Sequence, residues 1–211
     1  MPQNVKYWLL IVIIIAKVEA KSISGLSTDE LNIQIEANSS VSNNHFKINI
    51  RKKHNIVNIA YSILDSIRYS ALHKDTAYMR IIDEFKKGKS IKDSVAKKLF
   101  DDLVERNSVY KRDLIVANLK SDKAYDHLLG LMMTSSKEEL ENKEQNKSRI
   151  ILDDTYVKYT VNISSQTKIA LAHSPSQISN PLLYQLLTQT LNLCREKHRN
   201  NFLDKGLTSG Y

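Results

Sequence analysis

The chain has a single cysteine, Cys194, so no disulfide can close within it. Exported domains commonly lean on such bridges; this one must be held by its apolar core alone. Three prolines and five glycines among 211 residues leave few breaks, which predicts long regular elements joined by short connections. Tryptophan occurs once and aromatic residues make up 7%, so rings for stacking single-stranded bases are scarce. No apolar run approaches the roughly 20 residues that a bilayer-crossing helix needs. Catalytic and metal signatures are missing as well. There is no Gly-x-Ser-x-Gly elbow, no His-Glu-x-x-His pair and no calcium-loop pattern, and no motif calls for a cofactor.

What is present begins at the amino terminus. Lys6 precedes an unbroken apolar run from Tyr7 to Ala16, and Val18-Glu19-Ala20 places small or β-branched residues at −3 and −1 of a cut after Ala20. This is the pattern of a secretory signal peptide over residues 1–20, with Lys17 as an unusual charge in its last part. The alternative is an uncleaved anchor that holds the protein at a membrane. Asn38, Asn146 and Asn162 open Asn-x-Ser/Thr sequons, compatible with export. They carry little weight, because a chain so rich in Asn and Ser gives a few by chance.

Apolar content of 42% and charged content of 26% are those of a globular domain. The formal charge is +8, which favours anionic partners without selecting among them: an acidic protein, a glycan or another polyanion. Two clusters supply candidate anion-binding side chains. One holds Lys86, Lys87, Lys89, Lys92, Lys97 and Lys98, and the other Lys47, Arg51, Lys52 and Lys53. The plain alternative is a solvated helix face, with Lys86 and Lys87 set against the negative end of a helix dipole. Lysine is also the less selective base for phosphate, since it lacks the planar fork of arginine.

Period-2 alternation places Leu31, Ile33, Ile35 and Ala37 on one strand face and Phe46, Ile48 and Ile50 on another, a first β-hairpin. From Asn55 the spacing of Ile56, Ala60, Ile63, Leu64, Ile67 and Ala71 predicts a helix. A second helix carries Tyr78, Ile81, Ile82 and Phe85, and a third opens at Ser90-Ile91-Lys92-Asp93 and continues through Val95, Leu99, Leu103 and Val104. Shorter helices are expected over Ser108–Leu119 and Ser121–Met133, and the charged stretch Ser136–Ser148 reads as a solvated helix end or a linker and as the most mobile segment. Val157, Tyr159, Val161 and Ile163, then Ile169 and Leu171, form a second hairpin. Asn180-Pro181 opens a last helix bearing Leu182, Leu183, Leu186, Leu187 and Leu191. Strands and helices are segregated, so the class is α+β: a helix-rich single domain over 21–198, its two hairpins joined in one four-stranded sheet, a C-terminal helix, and a flexible tail over 199–211.

Reactive groups are sparse. Cys194 lies on the apolar stripe of the last helix, which favours a buried thiol over a dimer joined through it. Cys194 and His198 share a face, but a structural zinc site needs four ligands, so no metal is expected there. Gly88-Lys89-Ser90 has the ending of a phosphate-binding loop. The glycine required five residues earlier is Asp83, however, so no bound nucleotide is expected. Asp153-Asp154 reads as a turn. Among six histidines, His173 beside Ser174 at a strand end and then His54 are the candidates for acid–base chemistry. The reading is an exported basic protein that binds an acidic or polyanionic partner and is not an enzyme, with a basic nuclease-like hydrolase as its alternative.

Overall fold

Val57, Ile59, Tyr61 and Ile63 are buried at every second position, so the first segment expected to be a helix is a strand. The computed structural model describes residues 30–39, 44–87, 94–151, 154–164, 166–197 and 203–211. The expected leader 1–20, Lys89, Lys92, the Gly88-Lys89-Ser90 tripeptide, Asp153 and His198 lie outside the described residues.

Three consecutive strands form a meander: β1 (Glu30–Ser39), β2 (His45–Lys53) and β3 (Ile56–Ile67). Three helices follow, α1 (Tyr69–Leu72), α2 (Thr76–Lys86) and α3 (Ser94–Asn107), and then β4 (Ser108–Asn118). Next come α4 (Lys123–Thr134), α5 (Lys137–Glu141) and α6 (Lys143–Asn146). Strands β5 (Thr155–Ile163) and β6 (Gln166–His173) and the helix α7 (Pro181–Lys197) complete the order. The strands make one six-stranded antiparallel sheet in the order β4-β3-β2-β1-β5-β6. The class is α+β with a C-terminal helix, but the sheet has two strands more than expected, because β3 and β4 are strands where the spacing predicts helices. Over Ile56–Ile67 nearly every position is apolar or small, so helical and strand periods both fit. The β-branched residues tip the backbone towards the pleat. Over Ser108–Asn118 only Ile115 is buried, as suits an edge strand with little periodic signal.

One face of the sheet is the core. Leu31, Ile33 and Ile35 of β1, Phe46, Ile48 and Ile50 of β2, and Val157, Tyr159 and Val161 of β5 pack there beneath α4 and α7. From α7 come Leu183, Leu186, Leu187, Leu191 and Cys194, each with no exposed surface. The Tyr125 hydroxyl meets Thr190 Oγ1 at 2.8 Å, and Tyr159 donates to the Leu183 carbonyl at 3.1 Å. On β6 it is Ala170 and Ala172 that face inward, while Ile169 and Leu171 face solvent. Lys168 caps the C-terminal end of α4, its Nζ donating to the carbonyls of Met132 at 3.3 Å, Met133 at 3.2 Å and Ser135. The chain end, expected to fray, docks on α7. Leu203 is buried, and Arg195 donates to the Leu203 carbonyl at 2.7 Å and to Thr208 Oγ1 at 2.8 Å.

Helices α1 to α3 are an excursion inside the β3–β4 hairpin. The ladder runs to Ile67 opposite Ser108, and Arg68 N–H donates to the Asn107 carbonyl at 2.9 Å, so the chain leaves and re-enters at one place. The excursion has its own small cluster around Leu72, Tyr78 and Leu103, with Tyr78 stacked on Phe100 at 5.6 Å between ring centroids. Asp75 starts α2, its carboxylate accepting from Ala77 and Tyr78 N–H at 2.9 and 3.1 Å.

Candidate functional site

The segment expected as a solvated helix end or a linker is a built corner of two short helices. Ser136 and Glu139 form a reciprocal capping box that starts α5, and Asn142, in the left-handed region at φ 48°, turns the chain into α6. Side-chain amides then tie this corner to the turn before α7. Asn142 and Asn146 donate to the Ser179 carbonyl at 3.0 and 3.1 Å, and Asn180 donates to Leu140 and Glu141 carbonyls at 3.3 and 2.8 Å. Leu140 is buried beneath. Asn180 thus spends its side chain on α5 while α7 starts at Pro181.

Between this corner and the edge strand β6 lies a cavity of about 440 Å³. Its rim carries Lys137, Lys143, Lys147 and Arg149, with His173 at one side. Ile151, Leu171 and Ala172 supply an apolar wall. Among the described residues the one acid in the lining is Glu141, whose side chain is only 4% exposed. Its Oε1 accepts the outward N–H of Leu171 at 3.1 Å, which occupies a donor that an edge strand would otherwise present to other chains. Lys143 Nζ stands 3.1 Å from Oε2, and Lys137 Nζ stands 3.7 Å from Oε1. Lys147 meets Glu144 at 2.6 Å on the helix surface. Among the described lining residues positive charge therefore exceeds negative, which fits an anion.

His173 sits where β6 ends. Ser174 takes φ 40° to turn the chain, and its hydroxyl accepts from Thr155 N–H at 3.0 Å and donates to Asp154 Oδ1 at 3.2 Å. The other oxygen of Asp154 holds His173 Nδ1. Arg149 clamps the same turn, donating to the carbonyls of His173 and Ser174 at 2.9 and 2.8 Å. With Nδ1 donating to a carboxylate, the neutral ring keeps its lone pair on Nε2, and more than half of the His173 side chain is exposed. Tyr156 stands edge-on to the ring at 5.3 Å between centroids. The adjacent acids read as a turn thus contribute Asp154, which orients this histidine.

The other sequence candidates do not join it. His54 occupies the two-residue turn between β2 and β3 at φ 53°. It lies about 30 Å along the strand from the end of the sheet that carries His173, at about 3.3 Å per residue. His45 shares the end with His173 but stands three strands away, about 14 Å at the usual spacing. It has its own partners. Tyr110 donates to Glu105 Oε2 at 2.7 Å and meets His45 Nδ1 at 2.9 Å, and Lys47 pairs with Glu105. Burial holds His45 below the usual imidazole range, and the Lys47 charge adds to this. Burial alone would raise Glu105, but hydrogen bonds from Lys47 and Tyr110 hold it below the usual carboxylate range.

The two basic clusters are not one patch. Lys47, Arg51 and Lys53 point to the open face of the sheet, whereas Lys52 follows Ile50 to the core side and meets Asp126 at 2.6 Å. Lys53 meets Glu30 at 2.7 Å. Lys86, Lys87, Lys97 and Lys98 are exposed on the excursion. Of the sequons, Asn38 is exposed and Asn162 accepts from Thr167 at 2.8 Å. The Asn146 amide donates to the carbonyls of Glu141, Asn142 and Ser179, each at 3.1 Å, so a glycan at this nitrogen would disrupt the corner. Cys194 is fully buried, and burial pushes its thiol up to about 12; it reaches a second chain's thiol only if α7 leaves the core. Among the described residues, no group of three His, Cys, Asp or Glu side chains is placed to hold a metal ion.

The residues that sequence reasoning missed are Lys137, Lys143, Lys147, Arg149 and Asp154. The legible signal is the Ser136-x-x-Glu139 capping box, which marks a helix start at the head of that charged stretch. Nothing local pointed Arg149 at the end of β6. No protein-family model, no curated protein and no solved structure matches this chain.

Proposed function

We propose that this protein works by binding, and that it seats an anionic group of its partner in the cavity between α5, α6 and β6. The observation that carries the reading is the charge around the cavity: among the described residues Lys137, Lys143, Lys147 and Arg149 line it against the one carboxylate of Glu141. The apolar wall of Ile151, Leu171 and Ala172 suits the carbon body that bears the anion. The amide ties from Asn142, Asn146 and Asn180 support a site formed before the ligand arrives. The direct test is thermal denaturation in sodium phosphate or citrate against chloride of equal ionic strength. The wild-type chain should melt higher in the multivalent anions, and K143E/K147E should lose most of that rise. No rise, or an equal rise in the variant, would remove the cavity as the site.

The Asp154–His173 pair favours a second reading, hydrolysis of a phosphoester. Here Nε2 would take the proton from an attacking water or hydroxyl while the lysines offset charge on the phosphate. Bis(4-nitrophenyl) phosphate is a suitable probe. Turnover that H173A abolishes would replace the binding reading, and absence of turnover leaves binding as the function. Export is part of the same proposal and rests on Lys6, the Tyr7–Ala16 run and Val18-Glu19-Ala20. Protein recovered from culture medium should begin at Lys21; a start at Met1 would favour the membrane-anchored alternative. Among the described residues, no helix is long and apolar enough to cross a membrane.

A further inference from the structure

The face of the sheet turned away from α4 and α7 carries a groove built on two cross-strand rows. Gln34, Asn49, Ala60 and Leu114 stand side by side on β1, β2, β3 and β4. Glu36, Lys47, Ser62 and Arg112 form the next row. Ala60 and Ser62 are the small members, so the surface dips between the longer side chains of β2 and β4. The dip measures about 300 Å³, at the small end of ligand sites. Its charge is matched. Among the described lining residues, Lys47 and Arg112 are balanced by Glu36 and Asp113. Lys47 also pairs with Glu105, and Glu36 meets Lys158 at 3.5 Å. Both cations are held over the Tyr110 ring, Lys47 Nζ at 5.0 Å and the Arg112 guanidinium at 5.9 Å from its centroid. Two acceptors are left over. Among the described residues, the side-chain oxygens of Asn49 and of its diagonal neighbour Asn32 are buried and take no hydrogen bond.

We propose that this groove binds an uncharged sugar ring. Each hydroxyl of a sugar both donates and accepts, and the lining answers in kind. Glu36 accepts, Lys47 and Arg112 donate, and Gln34, Asn49 and Ser62 do either. A buried acceptor without a donor costs free energy, and a sugar hydroxyl supplies Asn49 with the bond it lacks. The Asn49 amide meets it by turning about its last torsion, which is soft. Ala60, with Leu114 beside it 55% exposed, offers apolar surface to the C–H face of the ring. Matched charge favours a neutral ligand, which sets the groove apart from the cavity beside β6. The two share no described lining residue, so each reading stands without the other.

The test is an array of neutral and of sulfated or sialylated glycans, probed with the full chain at low salt and at 0.5 M salt. Wild-type protein should bind a subset of the neutral glycans and keep that binding at high salt, because no net charge drives it. N49A should weaken it about fivefold, from the loss of one neutral hydrogen bond. A60F fills the dip with a ring and should abolish it. K143E/K147E changes only the cavity beside β6 and should bind the neutral glycans as wild type does. Ala60 is exposed and Asn49 faces away from the core, and an unchanged thermal melt confirms that the variants fold. If A60F melts lower, N49A decides alone. Failure to bind any neutral glycan would overturn the proposal, and so would equal binding by wild type and N49A. Binding confined to the acidic glycans and lost in K143E/K147E would overturn it while leaving the cavity reading in place.

Discussion

His45 shows how one side chain ties a strand to the excursion. Its ring meets Tyr110, Tyr110 holds Glu105 on α3, and Lys47 closes the circuit from β2. Because Tyr110 gives its one proton to Glu105, His45 must donate from Nδ1. Burial keeps the imidazole below its ordinary value of 6.5, with Lys47 opposing and Glu105 and Glu36 favouring its charged form. As pH falls below that ordinary value, the unfolded chain takes up a proton that the folded chain resists, so stability drops. The wild-type melting temperature should therefore fall between pH 7 and pH 5, and H45Q should flatten part of that fall. Equal slopes for both proteins would show that this histidine is not buried as described. Nothing in the sequence pointed to the circuit, since its members are separated by about sixty positions and meet only through the sheet register.

At the scale of elements, legibility followed the contrast of each pattern. The strands β1, β2 and β5 alternate apolar with polar residues, and the helix α7 carries leucines at helical spacing behind Asn180-Pro181; all were readable. Strand β3 was not, because Ile, Val, Ala and Leu fall on both of its faces and satisfy two periods at once. Strand β4 was not, because an edge strand with one buried residue has almost no period to read. The corner of α5 and α6 was hidden for another reason. Its stability comes from amide–carbonyl bonds with the turn before α7, which leave no apolar repeat in the sequence. That gives a prediction for N180A. It should cost about 1–3 kcal/mol, the range for leaving buried carbonyls without their donor. Urea denaturation would measure it. Loss of the anion-induced rise in melting temperature in the same variant would tie the corner to the cavity.

For the molecule as a whole, the main core and the cluster of the excursion are separate bodies of apolar packing. The β3–β4 ladder continues to Ile67 opposite Ser108, with one register shift between Leu64 and Ser66. A chain in which Arg68 is joined to Asn107 by Asn-Gly, a two-residue turn suited to a tight hairpin, should therefore fold. It should lose helical circular dichroism and keep a cooperative thermal transition. A non-cooperative melt would mean that the core depends on α1 to α3. The same variant should retain the response to phosphate and citrate, because the cavity stands at the opposite edge of the sheet.

The single doorway at Arg68 and Asn107 has a mechanical meaning. Entry and exit of the three helices are one hydrogen bond apart, and the described side-chain ties back to the sheet gather around Glu105, Lys47 and Tyr110. A load applied at the far end of α2 and α3 thus arrives at the sheet as a torque about one hinge line. The described ties reach β2 through Lys47 and His45 and stop there, so the cavity beside β6 stands beyond the strands that take up the load.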